Sequence, residues 1–263
     1  MTYPCFKGVR MLNSNLSYFI GFVMADGTFQ EGSRNRGKIV IEIKREDEQL
    51  LKDISNILPC NSYIHYRERT TNFKENHKSA LLSIYDYDFR QFVKQYIPLG
   101  KKSDITYIPK DVSISDFLRG FIDGDGSIGF TANNAPFVTI VTSSEQFKQD
   151  YLNFLEKEFG IVKHLNRNKR DNVYNITVFN EDAINLIKFL YKDCNLCLKR
   201  KYDNAMECLK WVRTVKKVQR KPWDKEQDNY ILTHSIEDSM KHLNRSEKSV
   251  KMRLIRLKHS NKY

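Results

Sequence analysis

Phe19-Ile20-Gly21-Phe22-Val23-Met24-Ala25-Asp26-Gly27 and Leu118-Arg119-Gly120-Phe121-Ile122-Asp123-Gly124-Asp125-Gly126 are two versions of one segment, 99 residues apart. In each, an apolar helix-like stretch ends on an aspartate and a glycine. Phe19, Phe22 and Val23 fall on one face, as Leu118, Phe121 and Ile122 do in the second copy, and that face is expected to pack on its own sheet. The opposite face carries Gly21 with Ala25, and Gly120 with Gly124. A glycine inside a helix costs about 1 kcal/mol relative to alanine, so two such helices imply a compensating close approach of their backbones. Packed along these small residues, the helices set Asp26 and Asp125 side by side at their C-terminal ends, where unpaired carbonyls and the negative end of the helix dipole also gather. Carboxylates crowded there repel unless protonated or bridged by a hard divalent cation. Gly27 and Gly126 are expected to supply a left-handed turn into the next strand.

The rest of the region to about residue 212 reads as two αββαββα repeats, over 1–110 and 111–212. Helices are expected at 15–26 and 114–125. Strand pairs follow at Thr28–Arg34 with Lys38–Arg45, and at Ser127–Asn133 with Phe137–Thr142. Amphipathic helices come next at Glu46–Leu58 and Ser144–Phe159, the second opening on a Ser/Glu capping signal. Further strand pairs are expected at Tyr63–Arg69 with Leu81–Tyr85, and at Ile161–Arg167 with Val173–Phe179. A third helix closes each copy, where Asp88, Phe92 and Val93 match Asp182, Leu186 and Ile187. The offset there is 94 instead of 99, which places an indel near Thr70–Lys78. The fold class is α+β: two pseudo-symmetric repeats plus a small C-terminal three-helix domain.

The net charge of +12 points to a polyanionic partner, because Lys and Arg release counterions from phosphates. From Arg213 to Tyr263 there are 14 Lys and Arg against 6 Asp and Glu, so two-thirds of the excess sits in the last fifth of the chain. No apolar run approaches the roughly 18 residues of a membrane span. Five cysteines are an odd number for a disulfide framework. With an N-terminus unlike a secretory signal, an intracellular, reducing compartment (prokaryotic or phage-infected cytoplasm, or an organelle) is expected.

The motif pair resembles the LAGLIDADG homing endonucleases in their single-chain, two-motif form, over residues 10 to about 210. Motif two is a close match; motif one departs at Met24, where an aspartate is common and is not the metal ligand. The resemblance implies a saddle that binds double-stranded DNA at a long asymmetric target, acting as a monomer. It implies Mg²⁺, with Mn²⁺ able to substitute, held by Asp26 and Asp125 with the carbonyls of Ala25 and Gly124. It implies hydrolysis of both strands across the minor groove with short 3′ overhangs, and a role in mobility of an intron or of its own gene. The family often places a catalytic lysine near each site to organise the water network. Lys102 lies 76 residues after Asp26 and Lys201 lies 76 after Asp125, with solvated surface lysines as the alternative. Two other functions share this scaffold: an RNA maturase acting on intron RNA, and a non-catalytic transcription regulator, which usually lacks the acids retained here.

DNA readout falls to strand positions facing away from the helices. Parity gives Thr28, Gln30, Arg34, Lys38, Lys44, His65, Arg67 and Arg69 in the first repeat, and Ser127, Thr131, Asn133, Asn175 and Thr177 in the second, with Ile128 and Phe130 inward. After a basic linker (213–221), residues 222–263 resemble Myb-like or related helix-turn-helix domains. Helices are expected at Asp224–His234, Ile236–Leu243 and Ser246–Lys258, with Asp224, Ser235 and Ser246 as N-caps. Trp223, Ile231, Leu232, Ile236, Leu243, Val250, Leu254 and Leu257 form the expected core. Arg245, Lys248, Ser249, Lys251 and Arg253 are the DNA-facing candidates, with Met252 beside them. Two other patterns carry less. Cys194-x-x-Cys197 has no second pair at zinc-knuckle distance and is expected to pack within a helix. Glu42-Ile43-Lys44 has no counterpart in Phe137–Thr142 and reads as incidental strand polarity.

Overall fold

The computed structural model describes residues 12–71, 74–97, 104–214 and 222–260, and divides into two compact units, Met1–Val212 and Arg213–Tyr263. The first unit is built on α1 (Ser14–Asp26) and α4 (Ile114–Asp125). Asn13 caps α1 by accepting from the Leu16 N–H at 2.8 Å. The two helices run side by side in the same direction. A Cβ added to Gly21 would stand 2.1 Å from the Phe117 carbonyl oxygen, and one added to Gly120 would stand 2.1 Å from that of Tyr18. The helix starts are joined as well, since the Ser113 N–H donates to Ser17 Oγ at 2.9 Å.

Each helix feeds an antiparallel sheet. In the first repeat β1 (Thr28–Glu31), β2 (Gly37–Lys44), β3 (Ser62–Thr71) and β4 (Lys74–Ile84) lie in the order β1-β2-β4-β3. In the second, β5 (Gly126–Phe130), β6 (Pro136–Thr142) and β7 (Tyr174–Phe179) lie in the order β5-β6-β7. Thr28 pairs with Val40, and Ser127 pairs with Thr139, so the two hairpins share the offset of 99. The helices α2 (Glu48–Ile57), α3 (Tyr87–Lys94), α5 (Glu145–Phe159) and α6 (Asn180–Tyr191) complete the repeats. Ile39 and Ile41 of β2, and Val138 and Ile140 of β6, are fully buried and join one core that spans both repeats. Among the described residues no helix is long and apolar enough to cross a membrane.

The structure departs from the sequence reading at several places. Gly27 (φ −74°) and Gly126 (φ −113°) are extended, not left-handed. They are glycines for room: a Cβ would stand 2.6 Å from Val23 Cγ1 at the first and 2.8 Å from the Thr139 carbonyl oxygen at the second. The stretch Ile161–Arg167 forms no ladder with β7. Arg167 instead donates to the carbonyls of Asn172 and Ser143. The first repeat's β3–β4 hairpin is correspondingly the longer one, which agrees with the shift in offset. Glu46 and Asp47 belong to a 3₁₀ turn (Arg45–Asp47) ahead of α2. An additional helix, α7 (Lys199–Leu209), packs on β5, and Cys194 and Cys197 lie in the loop before it instead of inside a helix.

The C-terminal unit holds α8 (Lys225–Thr233), α9 (Ile236–Leu243) and α10 (Glu247–Ser260). Asp224 and Ser235 cap α8 and α9 as expected, accepting from the Gln227 and Asp238 N–H groups. Ile231 and Val250 are its most buried apolar residues, whereas Leu232, expected in the core, is 47% exposed because it lies one residue around the helix from Ile231.

The approach of α1 to α4 leaves no room for a side chain at either central glycine. Gly120→Ala is expected to destabilise the protein by about 3 kcal/mol or more, measured by urea unfolding. A loss below about 1 kcal/mol would show that the helix pair can spread without penalty.

Candidate active site

The contact that joins the helices continues to their C-terminal ends. A Cβ added to Gly124 would lie 2.5 Å from Ala25 Cβ and 3.4 Å from the Asp26 backbone nitrogen. Asp26 and Asp125, both exposed, therefore emerge at one end of the pair, each ending its helix with the carbonyls of Ala25 and Gly124 just before it. Two carboxylates and helix-terminal carbonyls are hard oxygen donors of the kind Mg²⁺ takes, with water filling the remaining positions. Among the described residues no group of three or more His, Cys, Asp and Glu side chains is placed to hold a metal ion by itself. Asp26 lines a hollow of about 430 Å³ and Asp125 one of about 220 Å³.

Lys201 of α7 lies beneath this end. Its Nζ donates to the carbonyls of Ile122 (2.6 Å), Asp123 (2.8 Å) and Gly126 (2.8 Å), so three N–H groups close the C-terminus of α4. Burial pushes its pKa down to about 8, against the pull of Asp123, Asp26 and Asp125. Lys102 lies outside the described residues.

Sequence reasoning did not single out Asp123, yet it is the buried centre of the site's support. Its Oδ2 accepts from Tyr18 O–H across the helix pair (2.8 Å) and from the Leu198 N–H (2.7 Å). Burial pushes its pKa up to about 6, opposed by those two hydrogen bonds and by Lys201. The Tyr18 hydroxyl is raised by its own burial and then by Asp123. Arg119, also buried, holds the same loop: it donates to the carbonyls of Leu196 (2.8 Å) and Leu190 (2.5 Å), and it pairs with Asp116. The signal was present in the repeat. Tyr18 and Asp123 occupy the positions of Phe117 and Met24 in the other copy, so the polar pair replaces an apolar one.

The strand residues divide by position. Thr28, Gln30, Lys38, Lys44, His65, Arg67 and Arg69 lie on the face of the first sheet opposite Ile39, Ile41, Leu82 and Ile84, which are buried. Ser127, Asn175 and Thr177 hold the matching face of the second, with Thr177 and Thr139 hydroxyls 2.7 Å apart. Arg34, Thr131 and Asn133 are not on strands, because β1 ends at Glu31 and β5 at Phe130. Arg34 stands in the hairpin turn at φ 56°, and Thr131 Oγ1 closes its turn by accepting from the Ala135 N–H. Phe130, expected inward, is 39% exposed at the hairpin end. Glu42 and Lys44, read as incidental polarity, both line the hollow of Asp26. In the C-terminal unit Lys248 is exposed and Lys251 pairs with Glu247. Ser249 is half-buried near the start of α10, its N–H directed to Ser246 Oγ. Arg253, expected to be exposed, makes two bonds to Asp228 (2.7 and 2.5 Å). Arg245 donates to the Pro222 carbonyl and to Gln227, above the Trp223 ring.

With that geometry in place, the family model for the LAGLIDADG-like domain matches residues 13–96 and 113–190. The chain belongs to the LAGLIDADG-like domain family. Solved structures share its fold. The homing endonuclease I-WcaI bound to its DNA recognition sequence aligns with a TM-score of 0.54 at 14% identity, over 78% of this chain and 94% of that one. A point mutant of I-SmaMI gives 0.50 at 14%, over 75% and 90%. Among curated proteins, 215 residues are 27% identical to the replication factor C small subunit of Methanocaldococcus jannaschii, covering 75% of this chain and 10% of that protein. Another 157-residue match, 26% identical, is to a probable translation initiation factor of Thermococcus kodakarensis, over 57% of this chain and 12% of that protein. The chain spans about a tenth of the length of these curated relatives.

Asp123 holds its proton more tightly in the folded protein than in the unfolded chain, so its ionisation opposes folding. That opposition grows as pH rises from about 4 to about 6 and amounts to about 3 kcal/mol above it. The stability of the wild type relative to Asp123→Asn is therefore expected to fall over that window, read as urea midpoints at several pH values. A constant difference would show that Asp123 does not titrate there.

Proposed function

We propose that this chain is a site-specific, divalent-metal-dependent endonuclease that cuts both strands of a long, asymmetric DNA target as a monomer. The observation that carries the reading is the emergence of Asp26 and Asp125 at one end of two helices whose backbones touch. Mg²⁺, or Mn²⁺ in its place, held by these carboxylates and the carbonyls of Ala25 and Gly124, would acidify a bound water and stabilise charge on the departing oxygen. The chain's own residues do the rest. Lys201 fixes the end of α4 that presents Asp125, and Tyr18 and Asp123 lock α1 to α4 so that the two acids keep their spacing. Lys44, Arg67 and Arg69 draw the phosphates to the first sheet, while Gln30, Asn175 and Thr177 offer hydrogen-bonding groups to base edges. Because both motifs lie in one chain, the acid pair needs no second copy.

The C-terminal unit serves as a second DNA-binding element, with α10 toward the groove and Lys248 and Lys251 toward phosphates. Tethered to the first unit, it raises apparent affinity through effective concentration.

Incubating the protein and Mg²⁺ with a plasmid library of randomised targets is expected to yield a recoverable, cleaved sequence. Asp26→Asn or Asp125→Asn should lower double-strand cleavage by at least about 100-fold while target binding persists. Sequence-specific binding with no cleavage in Mg²⁺ or Mn²⁺ would instead mark a DNA-binding regulator, and preferential binding of intron RNA unaffected by either substitution would mark a maturase. For the C-terminal unit, Lys248→Ala is expected to weaken binding to all sequences alike and to reduce the salt dependence of log K by about one unit; an unchanged slope would remove α10 from the interface.

A further inference from the structure

The tip of the first hairpin is held in a conformation that its sequence does not favour. Beyond the last ladder pair, Glu31 with Gly37, the chain turns over residues 33–36, and the Arg36 N–H donates to the Ser33 carbonyl at 3.2 Å. Both central residues are left-handed, Arg34 at φ 56° and Asn35 at φ 60°. Turns of this kind favour asparagine and glycine. Asparagine tolerates the region, but the Cβ of an arginine there crowds the following carbonyl. The corresponding loop of the second repeat avoids the problem: only Asn134 has a positive φ, and the Thr131 hydroxyl closes the loop locally. A strained residue persists only where its surroundings hold it, and such residues gather at ligand clamps.

At this turn the holding is done by one side chain. Arg90 of α3 is 1% exposed, and its Nη2 donates to the Asn35 carbonyl at 2.5 Å, 55 residues away in sequence. Its Nε donates to the Tyr85 carbonyl at 3.3 Å, which anchors the guanidinium at the end of β4. A Cβ on Gly37 would stand 2.5 Å from Arg90 Nη1, so the guanidinium is pressed against the base of the turn. Among the described residues these hydrogen bonds go to carbonyls and none to a carboxylate. A buried cation held in this way keeps its field, and the turn lies within it. Glu31, the only acid between residues 28 and 38, is already paired with Lys94 of the same helix at 2.9 Å. The exposed tip is left to Arg34 and Arg36.

We propose that Arg90 is a positioning residue for DNA binding: it locks the turn so that the Arg34 guanidinium stands ready to clamp a phosphate of the duplex beyond the end of the first sheet. The proposal rests on the DNA-binding part of the function given above and deepens it. A long cationic side chain on a free loop loses backbone and rotamer freedom when it takes a phosphate. Here folding has already restricted that freedom at the backbone, and the strain at Arg34 is what the placement costs the fold. Because the turn lies past the last paired residues, Arg34 meets the sugar-phosphate backbone and leaves base edges to the strands.

The test uses the full chain, a duplex selected for binding from a randomised pool, and an unrelated duplex, without divalent metal. Arg34→Gly is expected to raise the melting temperature by about 2 °C, because glycine accepts φ 56° without strain. It should nevertheless weaken binding by about 10-fold and lower the salt dependence of log K by about one unit, on both duplexes alike. Arg90→Lys is expected to weaken binding by about 5-fold where Arg34 is present and to have no effect in the Arg34→Gly background. Arg34→Gly decides the question by itself should Arg90→Lys fold poorly. Unchanged binding by Arg34→Gly, a loss confined to one sequence, or equal effects of Arg90→Lys in both backgrounds would overturn the proposal and leave the nuclease reading intact. The expected pattern on a duplex that is never cut in Mg²⁺ would sink the nuclease reading and keep the clamp. A wild type that binds no duplex at all would sink both.

Discussion

Everything in the first unit is arranged around a backbone-to-backbone contact between α1 and α4. Gly21 rests on the Phe117 carbonyl and Gly120 on that of Tyr18, so the axes approach more closely than side chains would permit. Because the helices run in the same direction, their C-termini arrive together, and the acids that end them leave neighbouring points of the backbone. The dipole ends and unpaired carbonyls of both helices then collect at one point, a crowding that neither helix would create alone. Lys201 relieves part of it by donating to three carbonyls of the α4 terminus.

The sheets follow from the same contact. Each strand pair begins immediately after a paired helix, so Thr28 and Ser127 leave from neighbouring points and their sheets present corresponding faces. Buried isoleucines and valines fix which side of each sheet meets the helices. The alternate residues, rich in Lys, Arg, Asn and Thr, are left on the other side. That division leaves Lys44, Arg67 and Arg69 on the exposed face of the first sheet, a surface suited to a polyanion.

The repeat and its acids were legible because glycine spacing and strand parity are local patterns that survive in a single sequence. Both helices, the approximate positions of all seven strands and the adjacency of the Asp26 and Asp125 backbones followed from them. The failures are of another kind. Ile161–Arg167 has strand-like alternation, but a ladder needs a partner in register, and Arg167 turns its bonding elsewhere. Arg34 and Thr131 were assigned by extending parity past the point where the hairpins turn. Arg253 satisfied a helical face pattern, yet Asp228 lies within reach only once the C-terminal helices pack. Asp123 was hidden because its role depends on Tyr18, Leu198 and Arg119, three residues remote from it or from each other in sequence.

Joining both repeats in one polypeptide has a consequence visible at Tyr18 and Asp123. A homodimer of one repeat would be bound by twofold symmetry, so any acid buried at its seam would appear in duplicate, and its desolvation cost with it. Here the acid occurs once, and the mirrored positions are Phe117 and Met24. A single chain thus leaves each side of the seam free to differ, and the molecule can tolerate an ionisable group at its centre that a symmetric dimer would have to accommodate in two copies.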